Sequence, residues 1–151
     1  MSDPASFEIR EGDIATVVSL SKQVPELTRP YEAEAYEKRL FGVPSLILVA
    51  WVGEEAAGFK VGYEREQDGS FYSWMGGIRL KFRRMGLAKA LADQQEAWAR
   101  KQGYSRITFK TRNRHKAMLV FAIQNGFHLT SVEAWDDPRE SRIWLEKLLA
   151  T

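Results

Sequence analysis

Five basic residues (Arg79, Lys81, Arg83, Arg84 and Lys89) crowd into the stretch IRLKFRRMGLAKAL, residues 78–91. Guanidinium and ammonium groups bind phosphate through charge-assisted hydrogen bonds, which are the strong kind. Gly86 and Ala88 lie among them. An apolar, strand-like run precedes the stretch and a helical pattern follows it. A helix start presents backbone N–H groups with no partner inside the helix, and its dipole adds a partial positive charge. Gly86 has no side chain to keep a ligand from those groups, and Ala88 is nearly as small. Strand, small-residue turn and helix among arginines make a site for a phosphorylated ligand. Arg84 and Lys89 are the side-chain candidates for phosphate contacts. Neither G-x-x-x-x-G-K-[ST] nor G-x-G-x-x-G occurs, so the usual nucleotide loops are absent.

The chain has 151 residues, 44% hydrophobic and 28% charged, which suits one folded domain over residues 1–151. A net charge of +2 argues against a general nucleic-acid binder. The absence of cysteine excludes disulfides, a cysteine nucleophile and cysteine–zinc sites. His115 and His128 are too few for a multi-histidine metal site, so no metal is expected. Residues 1–10 show no basic start followed by an apolar stretch, and no apolar run is long enough to cross a membrane. A cytoplasmic protein with no membrane partner is the expectation.

The elements that position the basic stretch follow from periodicity and punctuation. A strand is expected over 7–10. Gly12-Asp13 then starts a helix carrying Ile14, Val17, Val18 and Ser21, which Pro25 ends. Pro30 opens a second helix through Leu40. The apolar run SLILVAWV at 45–52 suits a strand covered on both faces. Gly53-Glu54-Glu55 turns it into a strand over 56–66, Asp68-Gly69 is a hairpin signal, and 71–78 is the next strand. A helix runs from 86 to 102 with Leu87, Leu91 and Trp98 on one face, joined by Ala90 and Gln94, and Gly103 stops it. A strand over 105–111 leads to a helix over 114–125, capped by Asn113 or Thr111 and ended by Gly126. Two last strands, 127–135 and 142–149, flank a turn at Asp136-Asp137-Pro138. The order predicts one α/β (α+β) domain around a mixed sheet.

In this order and in its motifs the chain resembles the GNAT superfamily of acyl-CoA-dependent N-acetyltransferases. The family signature is Gln or Arg, two variable residues, Gly, one variable residue, then Gly or Ala. It stands here as Arg83-Arg84-Met85-Gly86-Leu87-Ala88, with a family-like Lys89-Ala90-Leu91 continuation. ITFKTRNRHKAMLVFAIQNGF at 107–127 resembles the family's next strand and helix, closing on Gly126-Phe127, and LVAWVGEEAAGFKVGY at 48–63 resembles its hairpin. The resemblance covers about 7–149. It implies a partly antiparallel seven-stranded sheet, splayed centrally and flanked by about four helices. The gap would lie between the strand ending near Arg79 and the strand over 105–111, and would take the pantetheine arm of acetyl-CoA. Ile78, Arg79 and Leu80 would offer that arm backbone bonds. The N–H groups of Arg84, Met85, Gly86, Leu87, Ala88 and Lys89 would hold the pyrophosphate beside Arg83, and Asn113 would bond the arm.

The implied reaction is direct acetyl transfer from the thioester to a primary amine of a small molecule or peptide. The amine must be neutral to attack, and a lysine-like amine has a pKa of about 10.4, so a base is needed. Tyr72 is the first candidate; Tyr63, Glu64 or a water chain are the others. A strand N–H near Ile78 would donate to the oxyanion. Many members carry a tyrosine four residues ahead of the Gly-Phe glycine as general acid, and that position here is Ala122. A thiol of pKa about 8.5 is already a fair leaving group. The missing tyrosine also keeps open a non-catalytic acyl-CoA-binding or sensing module of the same fold, and the basic helix start keeps open a nucleotide- or RNA-contacting α/β protein. The five tryptophans read as core, with Trp74 the one placed to look into an acceptor cleft. The helix YEAEAYEKRL at 31–40 reads as a solvated face. In the family this region walls the acceptor site, where Glu32, Glu34 and Glu37 would attract a cationic amine. An exposed C-terminal strand would let two chains pair as a homodimer.

Overall fold

The computed structural model describes residues 6–149 and holds seven strands in one open, mixed sheet of order β1-β2-β3-β4-β5-β7-β6. The strands are β1 (Glu8–Glu11), β2 (Ser45–Val52), β3 (Glu55–Tyr63), β4 (Ser70–Ile78), β5 (Arg106–Arg112), β6 (His128–Glu133) and β7 (Arg142–Leu148). The helices are α1 (Ile14–Ser21), α2 (Ala33–Leu40), α3 (Leu87–Lys101) and α4 (Lys116–Gln124). This is the expected fold class. The chain packs as two compact units, 1–64 with 74–98 and 65–73 with 99–151, so β4 and α3 each contribute to both. No helix among the described residues is long and apolar enough to cross a membrane.

In the first unit β2 pairs antiparallel with β1 and β3, Val49 standing opposite Arg10 and Phe59. That double pairing explains why its apolar run is continuous rather than alternating. Helices α1 and α2 supply Val17, Leu20 and Tyr36, which pack with Val24 against Val49, Phe59 and Val61. Asp13 caps α1 by accepting from the Thr16 N–H at 2.9 Å, a bond worth about 1 kcal/mol. The second helix starts later than Pro30 suggests. Tyr31 is drawn onto Trp74 and Glu32 reaches Lys22 at 3.3 Å, which keeps the chain extended until Ala33. The third helix buries Leu87, Leu91 and Gln95 rather than a face containing Gln94, because four-residue steps carry the stripe to position 95.

Two glycines of β4 let other chain segments approach closely. A Cβ on Gly77 would lie 2.7 Å from the Val24 side chain, and one on Gly76 would lie 3.2 Å from the Phe59 carbonyl oxygen. The segment after α1 therefore lies directly on β4.

In the second unit β4 and β5 pair in parallel over only three positions, Ser70↔Arg106 to Tyr72↔Thr108. Strands β5, β7 and β6 continue antiparallel. Ala122 of α4 is buried with Ile143 and Leu145. The expected side-chain cap on α4 does not form. His115 takes the N-cap position without a side-chain capping bond, and Asn113 instead donates to the Pro138 carbonyl at 3.1 Å.

Lys60 sits opposite Leu48 in the middle of β3, alternating with the core residues Phe59 and Val61. Its burial pulls the ammonium down from 10.5 to about 8, and Glu96 only partly offsets this. Between those values the unfolded chain holds more protons than the folded one, so stability rises with pH there. Urea unfolding at pH about 7, 8 and 9 is expected to show stability increasing, with a flatter dependence in Lys60→Met. Identical slopes in both proteins would contradict the assignment.

Candidate functional site

The basic stretch lies within the first unit, where β4 ends and α3 begins. Strand β4 stops at Ile78, and Leu80–Phe82 form one turn of 3-10 helix anchored by the buried Phe82. Arg83 follows as a strut. Its Nε donates to the Ile78 carbonyl at 3.1 Å, and its two terminal nitrogens meet both oxygens of Glu26 at 2.9 and 2.6 Å. Glu26 keeps this guanidinium firmly protonated. Its backbone N–H also goes to the Leu80 carbonyl, at 3.3 Å. Arg83 thereby braces the loop through side-chain bonds made within the protein.

The turn between Arg83 and α3 takes its shape from two left-handed residues, Arg84 at φ 66° and Gly86 at φ 84°. Glycine adopts that conformation freely, whereas arginine is held there at a cost of about 1–2 kcal/mol. Left-handed residues next to ordinary ones aim successive N–H groups into one concavity. The first helical bond runs from the Ala90 N–H to the Gly86 carbonyl at 3.1 Å. The N–H groups of Arg84, Met85, Gly86, Leu87, Ala88 and Lys89 have no acceptor among the described residues. Leu87 is buried and pins the helix start, while Gly86 and Ala88 are exposed. Apart from its chain neighbours, nothing lies within 4 Å of where a Gly86 Cβ would be. The donors therefore face open solvent.

Of the side chains expected beside these donors, Arg84 is exposed with no carboxylate partner among the described residues. Lys89 shares its charge with Asp93 at 3.0 Å, an exposed helical pair that a phosphate can displace at little cost. Arg79 directly follows β4. Its N–H goes to the Ala57 carbonyl at 2.9 Å and its guanidinium to the Ala56 carbonyl at 3.0 Å, so it extends the β3–β4 edge. Ile78 and Leu80 flank it, and their carbonyls accept from Arg83.

Asn113 belongs to the second unit, where its side chain bonds Pro138 and accepts from Lys116 at 2.9 Å. Tyr72 also belongs there, buried, with its ring 6.2 Å from that of Trp144 and the Arg65 guanidinium 5.2 Å above it.

A second cluster in the first unit has Trp74 at its centre. Tyr36, Tyr31 and Tyr63 stand 4.9, 5.4 and 5.8 Å from it, centroid to centroid. Sequence reading singled out Trp74 and Tyr63, each for a separate role, but not Tyr31 or Tyr36 beside them. It also missed Glu26, because no spacing rule connects residues 57 positions apart.

The profile of the acetyltransferase (GNAT) family matches residues 13–127. No curated protein matches the chain in sequence. Among solved structures, the ribosomal-protein-S18-alanine N-acetyltransferase from Escherichia coli superposes with a TM-score of 0.82 at 13% identity, covering 97% of this chain and 96% of that one. Ard1 from Thermoplasma volcanium gives 0.79 at 20% identity, covering 96% and 99%. An acetyltransferase from Bacillus subtilis in complex with CoA gives 0.73 at 15%, covering 96% and 100%. These likenesses show the fold.

Two substitutions separate the strain from the binding. Arg84→Gly is expected to raise stability by up to about 1 kcal/mol while weakening CoA binding about tenfold, the worth of one charge-assisted bond. Gly86→Glu is expected to abolish CoA binding, with Gly86→Asn, which tolerates positive φ, as the folded control. Calorimetric titration and thermal unfolding read both; undiminished affinity in Gly86→Glu would refute the site.

Proposed function

The chain belongs to the acetyltransferase (GNAT) family and is an acyltransferase, and from that premise we propose that it moves an acetyl group from acetyl-CoA to a primary amine by direct transfer in a ternary complex. The observation that carries this reading is the run of unpartnered N–H groups from Arg84 to Lys89 beside the open Gly86. A pyrophosphate satisfies such a run, and the helix dipole favours its charge. Arg84 and Lys89 add side-chain charge, and Arg83 keeps the loop in shape through Glu26. The C-terminal part of β4 offers backbone bonds to the pantetheine arm.

In the transfer, the neutral amine nitrogen attacks the thioester carbonyl carbon. A C–N bond forms and the C–S bond breaks, with its electron pair leaving on sulfur. The amine gives one proton to a base, and the thiolate leaves as such or takes a proton from solvent. Holding amine and thioester side by side supplies much of the rate. A free β4 N–H serves as oxyanion donor, and Tyr72 serves as base through a water chain. Asn113 is retained as a contact for the arm. The acceptor class is an amine of a small molecule or of a peptide.

The position of the family's usual acid tyrosine is Ala122, packed into the core with Ile143 and Leu145. That observation favours a second reading, an acyl-CoA-binding module without turnover. Thiol release from acetyl-CoA across a broad amine panel decides between them. Turnover with any amine supports the transferase; tight acetyl-CoA binding with no thiol release on every amine supports the module. Thermal stabilisation by ATP or NAD but not by acetyl-CoA would overturn both. For the base, Tyr72→Phe is expected to lower kcat by about a hundredfold or more at unchanged acetyl-CoA affinity. A change in kcat below about threefold would make Tyr72 a packing residue.

A further inference from the structure

Arg39 carries the strongest unused recognition chemistry in the first unit. It lies in the last turn of α2, and its guanidinium carbon sits 4.6 Å from the Trp74 ring centroid and 5.3 Å from that of Tyr31. Both distances are within cation–π range. Guanidinium stacked on aromatic faces is held in one plane and keeps its in-plane N–H donors outward. No carboxylate among the described residues pairs with it. Its own helix does not supply one: Ala35 occupies the position one turn earlier, and Glu32 is taken by Lys22 at 3.3 Å.

The surroundings favour an anion rather than a cation here. Tyr31 is 39% exposed and Trp74 is half-buried, so the cluster is open to a ligand on one side. Tyr36 is fully buried beneath them, and that burial holds its phenol above the usual range, which keeps it neutral. The cluster therefore presents a single formal charge, that of Arg39. A cationic amine would meet that charge head-on, whereas a carboxylate would meet a flat, oriented guanidinium with two parallel donors.

The location suits an acceptor. Trp74 lies four residues before Ile78 on β4, about 13 Å at the strand rise of about 3.3 Å per residue. The same strand thus carries the aromatic cluster and leads into the donor loop. We propose that Arg39, stacked on Trp74 and Tyr31, is the docking group for a carboxylate carried by the acceptor, so that the preferred acceptors are amines that also bear a carboxylate. The inference rests on the acetyl-transfer reading of the neighbouring loop. It goes beyond it by naming what the acceptor must carry besides its amine.

Matched pairs test it. Free amino acids and their C-terminal amides, together with dipeptides with free and amidated C-termini, are assayed for kcat/KM with acetyl-CoA. The carboxylate member of a pair is expected to be favoured at least tenfold, and the pair that shows it distinguishes a free amino acid from a peptide terminus. Arg39→Gln is expected to erase the preference mainly through KM, leaving the amides unaffected, and Arg39→Lys to restore only part of it because a point charge lacks the planar fork. Equal rates for acids and amides in the wild type, or an undiminished preference in Arg39→Gln, would overturn the assignment while leaving acetyl transfer standing. Calorimetric titration of the same acids and amides onto the acetyl-CoA-loaded and CoA-loaded protein gives the answer without turnover. Binding of acids but not amides, lost in Arg39→Gln, supports the docking group. Binding that ignores the carboxylate refutes it.

Discussion

The left-handed twist at Arg84 and Gly86 is the constraint on which the site depends. It delivers a row of backbone donors to solvent at a helix start, where no helix carbonyl can reach them. Such a loop does not hold itself open. Phe82 before it and Leu87 after it are buried, and these fix its two ends. Arg83 fixes the middle, tying the Ile78 carbonyl and the Glu26 carboxylate to one guanidinium. The arginine at position 84 is the residue that glycine would replace if folding alone decided the sequence. Its retention in a costly conformation is consistent with a charge needed at that spot.

The same strut connects the donors to the aromatic cluster. Glu26 belongs to the segment between α1 and α2, which packs on β4 through Val24 and Gly77. Tyr31 and Arg39 flank the start and end of α2 and meet Trp74 on β4. The loop proposed to hold phosphate and the surface proposed to receive an amine are thus built on one strand and cross-tied by one ion pair. An exposed pair of this kind adds little to global stability, but it fixes the relative register of two segments.

Much of this was legible in the sequence because the informative signals are local. The strand over 45–52 announces itself as an unbroken apolar run, and Gly86, Gly103 and Gly126 all adopt the positive φ that makes glycine useful at helix ends. The donor loop was readable for the same reason, since everything it needs lies within a dozen neighbouring residues. What was not legible depends on tertiary partners. Arg83 looks like any other basic residue until Glu26 arrives from far along the chain. The tie of Arg79 to β3 appears only in the fold, where its N–H meets the Ala57 carbonyl. Asn113 has the right type for a helix cap, yet its Oδ1 accepts from the Lys116 ammonium and its Nδ2 donates to the Pro138 carbonyl. The α2 start moved because Tyr31 gains more from Trp74 than Pro30 gains from opening a helix.

The most direct test of the account is an NMR titration of the backbone amides with acetyl-CoA. The account predicts that Arg84, Gly86, Leu87, Ala88 and Lys89 show the largest amide shifts and slowed hydrogen exchange, with saturation at one equivalent. Amide shifts that leave these residues untouched, while acetyl-CoA binds elsewhere on the chain, would contradict it.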